Sequence, residues 1–148
     1  MIRVAPMPLP NDRTPAEVAA ALERADAALA SPDEDTRWQA AIALGQFCET
    51  HPTAIWPLVE KWGSSDDEDT RTAIATCVLE HVLECHFEPF FARTAKLIRQ
   101  GNVLFADTFC GCWRLGQANE SANAAKFDRL ETEARRLLRK ANLKPEAI

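Results

Sequence analysis

Three residues that bind soft metals, Cys77, His81 and Cys85, stand four apart in one run, with His86 next in line. Thiolate and imidazole are zinc ligands, and four-residue spacing brings side chains to one side of a helix. The spacing argues against a shared ion. Its outer members are two helical turns apart, about 12 Å at 1.5 Å per residue, and one small ion does not span that. Packing at or beside a core is the better reading, since free cysteine is among the most buried residues. Cys110 and Cys112 fall on different sides of a helix and offer no joint site. The acidic runs Asp33-Glu34-Asp35 and Asp66 to Asp69 lack the alternating ligands and central glycine of a calcium loop. They suit the first turn of a helix, where the dipole favours anions. The chain has no glycine-rich phosphate loop, HExxH pair or nucleophile elbow. No catalytic residue, metal or cofactor is therefore expected.

The remaining chemistry is that of contact. Trp56, Glu60 and Lys61 share one helical stretch, and Arg93 and Lys96 share another. An aromatic beside mixed charge suits the centre of a protein interface. A second reading of Trp56, as a side chain covering the neighbouring helix, stands equally open.

The elements that must carry these residues are helical. Glycine numbers only 5, and no stretch alternates apolar and polar over a strand's length. Thr14, Pro15 and Glu17 spell a capping box for a helix ending near Ala30. Ser31 with Glu34, and Ser65 with Glu68, spell the same pair for two later helices. Pro52 and Pro57 crowd the start of a helix stopped by Gly63, or else Pro57 kinks a helix begun at Pro52. Phe87, Phe90, Phe91, Thr94, Leu97 and Ile98 share one face, with Arg93, Lys96 and Gln100 off it. A segment from Asn102, apolar nearly all round, predicts a buried helix. The last helix starts near Ser121 and stops at or before Pro145.

A phrase recurs along this series. Thr36-Arg37 returns as Thr70-Arg71, 34 positions on, each after an acidic turn and before an apolar run. A period of that size built of paired helices is the mark of an α-solenoid, in which stacking buries the face one pair cannot bury alone.

Asp33-Glu34-Asp35-Thr36-Arg37, followed by Ala40-Ala41-Ile42-Ala43-Leu44-Gly45, resembles the first helix of a HEAT repeat. Asp69-Thr70-Arg71 with Ala73-Ile74-Ala75 resembles it without the Leu-Gly, and Cys112 to Gly116 is a third echo. The resemblance covers roughly residues 31 to 116. It implies an all-α, short right-handed α-α superhelix of about three helix pairs over residues 14–142. Residues 1–13 are then an extended proline-rich arm and 143–148 a tail. It also implies a ladder between neighbouring repeats, in which Arg37 and Arg71 bond Asp35 and Asp69 or nearby acids.

The function this implies is a non-catalytic protein–protein interaction module, a small scaffold with another protein as partner and weak self-association through its end flanks. One alternative is a DNA-binding protein like the alkylation-repair members of the HEAT-like group, with Asp107 and Trp113 as an acid–aromatic pair. Another is an acidic inhibitor or immunity-type protein that masks a basic partner. The net charge of −5 runs against nucleic acid, whose binders need cationic surface. Five cysteines, an odd count, read as reduced thiols in a cytoplasmic protein. No secretory or membrane-spanning segment is read in the sequence.

Overall fold

The computed structural model describes residues 12–143. The expected arm and tail lie almost wholly outside them. Among the described residues every regular element is helical. The helices are α1 (Pro15–Leu29), α2 (Glu34–Gly45), α3 (Pro52–Gly63), α4 (Glu68–Ile74), α5 (Glu80–Cys85), α6 (Phe87–Arg99), α7 (Val103–Cys110) and α8 (Ser121–Lys140). A π-helical turn, Ala75–Leu79, joins α4 to α5 as one rod, and a 3-10 turn, Gly116–Asn119, precedes α8.

Local chemistry sets the boundaries. Thr14 and Glu17 close a reciprocal capping box on α1. The expected caps Ser31 and Ser65 are displaced by two residues. Asp33 and Asp67 cap α2 and α4 by accepting the N–H of Thr36 and Thr70, while each serine hydroxyl accepts the N–H of its aspartate. A carboxylate accepts a backbone N–H more strongly than a hydroxyl does, so the aspartate takes the cap and the serine the turn. α3 runs unbroken from Pro52 through Pro57. Gly101, at φ 91°, ends α6 with Asn102 N–H on Leu97 O and Gly101 N–H on Ile98 O. Asn142, at φ 62°, closes α8 the same way, three residues before the proline expected to stop it.

The main packing pairs are α1 on α2, α2 on the α4 rod, α3 on α4 and α7, α6 on α7 and α8, and α7 on α8. The core between them holds Leu44, Ile55, Ile74, Leu83, Phe105, Phe109, Phe127 and Leu130, all fully buried. α2 comes so close to the π turn that a Cβ on Gly45 would run into the Cys77 carbonyl oxygen. A π turn shifts the ladder to i+5 and loosens carbonyls from their usual partners. Two thiols take up the slack from opposite sides: Cys48 donates to Val78 O at 3.3 Å and Cys112 to Ala75 O at 3.6 Å.

One expectation fails. α7 stops at Cys110 and Cys112 to Leu115 has no helical structure, Gly116 only opening the 3-10 turn, so this stretch does not begin an α-helix as the two phrases do. The acid that Arg71 reaches is instead Asp107, within α7.

Candidate functional site

Two arginines tie successive helix pairs together. Arg37 donates to Ser31 O at the foot of its own turn and to Asp69 Oδ2 of α4 at 3.2 Å. Trp38 Nε1 adds a bond to the same carboxylate. Arg71 repeats the arrangement, donating to Ser65 O and Asp66 O and reaching Asp107 Oδ2 at 3.1 Å. Each arginine therefore bonds an aspartate of a later helix, Asp69 of α4 and Asp107 of α7. Asp35 is exposed and lines a pocket with Arg24 of α1, and Arg37 and Arg71 both bond other aspartates. Phe109, next after Asp107-Thr108, packs on Phe127 of α8, ring centres 4.7 Å apart. Asp107 is thus held by Arg71, and Trp113 stands 65% exposed with its backbone N–H on Glu80. The acid–aromatic pair read from the sequence is two residues with separate tasks.

Four of the five expected contact residues meet. Trp56 and Glu60, one turn apart on α3, face Arg93, Lys96, Leu97 and Gln100 of α6 across an open trough of about 350 Å³. Trp56 is its floor rather than a projecting anchor. Only 5% of it is exposed, with its ring 5.3 Å from Phe90 and 6.1 Å from Phe105. The ring covers the helices behind it and lines the groove in front. Arg93 lies over the Phe90 ring at 5.1 Å, a cation–π contact that leaves its N–H groups free. Lys61 is not part of the trough. It turns back to Asp26 of α1 at 3.0 Å and lies over the Trp62 ring, whose Nε1 bonds the same carboxylate. Those two hydrogen bonds, Lys61's first, hold Asp26 below the usual carboxylate range. Leu97 and Gln100 complete the α6 stripe; Gln100, seven residues after Arg93 and off the apolar face, carried the signal for it.

No family model, curated protein or solved structure matches this chain. Its reading rests on its own geometry.

Thiol chemistry finds little support in that geometry. Burial pushes the Cys48 and Cys110 thiols up to about 12 and Cys112 well above the ordinary thiol value, so these sulfurs stay protonated donors. His81 bonds Glu84 at 3.0 Å, while Cys77 and Cys85 are half-buried on the same rod. Among the described residues no three His, Cys, Asp or Glu side chains are placed to hold one metal ion. Nor is any described helix long and apolar enough to cross a membrane.

Proposed function

We propose that this chain is a small interaction module, a HEAT-like solenoid of about three helix pairs that binds another protein through the trough between α3 and α6. The observation that carries the reading is the state of Arg93 and Lys96. They lie three residues apart on one helix face, beside an aromatic floor, and neither forms an ion pair within the described residues. The other cations of these two helices are engaged, Lys61 with Asp26 and Arg99 with Glu133. Two like charges left unpaired at neighbouring helix positions are mildly unfavourable in the free protein. An incoming partner that neutralises them gains what the fold leaves unused. The arginine links between units support the solenoid part of the proposal, because each joins one helix pair to the next in the same way.

Affinity capture from the source cells tests this. The double substitution Arg93→Glu with Lys96→Glu should abolish recovery of the partner, while Arg129→Glu with Arg136→Glu on exposed positions of α8 should leave it intact. Both variants should melt like the parent. A partner retained by the trough variant would remove the assignment. Trp56→Ala is the wrong probe, since it empties a buried site between two phenylalanines and unfolds more than it unbinds.

A further inference from the structure

The trough holds a fourth donor. Trp56 is 95% buried, yet its Nε1–H bonds no described residue, and it is not among the sealed polar atoms, of which Arg37 Nε is the sole case within the described residues. The two other indoles that are not fully exposed, Trp38 and Trp62, each donate to a carboxylate. A buried indole N–H that keeps an opening to solvent and lacks a partner is a site prepared for an acceptor. Arg93, Lys96 and Gln100 line the same trough.

Building on the interaction reading above, we infer that this trough recognises a carboxylate side chain of an acidic, extended peptide segment of the partner, with Trp56 Nε1, Arg93 and Lys96 as its donors. Charge is the reason for the class. Two cations without an ion pair among the described residues line one trough with an indole whose N–H has no partner there, a donor set that matches an oxyanion. Shape is the reason for a peptide. About 350 Å³ is the small end of ligand cavities, and the trough is open along its length, so it admits a side chain on a continuing chain better than it encloses a cofactor. Glu60 of α3 lines the other side, forms no ion pair among the described residues, and would accept from the peptide's backbone N–H groups. The surrounding protein carries net charge −5, so the acidic segment is held locally rather than drawn by the whole field.

Indole resonances of the 15N-labelled full chain test this directly. The Trp56 cross-peak is assigned by elimination with Trp38→Phe, Trp62→Phe and Trp113→Phe, so the buried ring stays intact. Acetyl-hexaglutamate amide should move that peak to saturation and leave the Trp113 peak still. The effect should weaken at least about tenfold in Arg93→Gln with Lys96→Gln, through loss of two charge-assisted contacts, and should weaken again as salt rises. A Trp56 peak that does not respond, or responds equally in the double variant, overturns the inference. So does inorganic phosphate acting as strongly as the peptide, which marks an unspecific anion site. Acetyl-hexalysine amide separates this inference from the broader reading. If it moves the backbone peaks of α3 and α6 instead, the face still binds and only the partner's charge is wrong. If neither peptide moves them, both fall.

Discussion

Replacing Arg71 with methionine removes the inner of the two links between helix pairs. Arg71 is 5% exposed, and its partner Asp107 has a side chain 11% exposed. The substitution strands that carboxylate and leaves Ser65 O and Asp66 O without their shared donor. Breaking a buried pair from one side costs about 3–5 kcal/mol, because the remaining charge keeps its desolvation penalty. Methionine fills most of the aliphatic volume and so limits the cavity cost. A loss of about 3 kcal/mol is expected, near 10 °C in Tm for a chain of this size. The same change at Arg37 should cost about half as much. That side chain is 14% exposed, and Trp38 still holds Asp69 after it is gone. Urea unfolding followed by circular dichroism reads the difference as a shift in midpoint at unchanged slope. The cycle with Asp107→Leu isolates the link: the double variant should recover about 2 kcal/mol relative to the sum of the singles. A coupling under about 0.5 kcal/mol, or an Arg71 variant no worse than a surface ion pair at about 1 kcal/mol, would refute the idea that this bond ties the units together.

Further outcomes follow from single contacts. Gly45→Ala gains helix propensity of about 1 kcal/mol yet should destabilise by more than it gains, because its methyl meets the Cys77 carbonyl; denaturant midpoints decide the sign. Burial holds Glu80 above the ordinary carboxylate range, outweighing its bond from Trp113 N–H and the nearby His81. A raised carboxyl favours the folded state below its unfolded value near 4.3, and the advantage is lost as pH rises through the folded value. Glu80→Gln keeps an acceptor for Trp113 N–H, so its stability relative to the parent should rise from pH 4 to pH 7 in matched unfolding curves. In the native protein at pH 8, a thiol reagent should modify half-buried Cys85 and Cys77 first, and Cys48, Cys110 and Cys112 only after unfolding.

Helix positions were legible in the sequence because each helix carries its own stop and start signals, and those are local. The capping box at Thr14, the glycine after α6 and the start of α8 at Ser121 all stand where the sequence places them. The shift of the α2 and α4 caps from serine to aspartate reflects a competition between two good acceptors two residues apart, which spacing rules alone do not rank. The π turn was not legible. It depends on how closely Gly45 lets α2 approach and on where Cys48 and Cys112 deliver their thiols, all contacts made at long range.

The contact trough was half legible for the same reason. Helical periodicity alone put Arg93, Lys96 and Gln100 off the apolar face of α6, and that much is intrinsic to one helix. Whether a tryptophan on another helix projects or lies flat is decided by what stands behind it. Trp56 lies flat because Phe90 and Phe105 offer it two ring faces. Lys61 leaves the trough because Asp26, thirty-five residues away, outbids an open groove for its charge. Asp107 teaches the converse. Phe109 follows Asp107-Thr108 where the two earlier phrases carry arginine, so a search for Thr-Arg passes over the segment, although Asp107 is the acceptor that Arg71 meets. An acceptor needs no arginine of its own, and the position is free for a ring that packs on Phe127 of α8, a contact no local phrase announces.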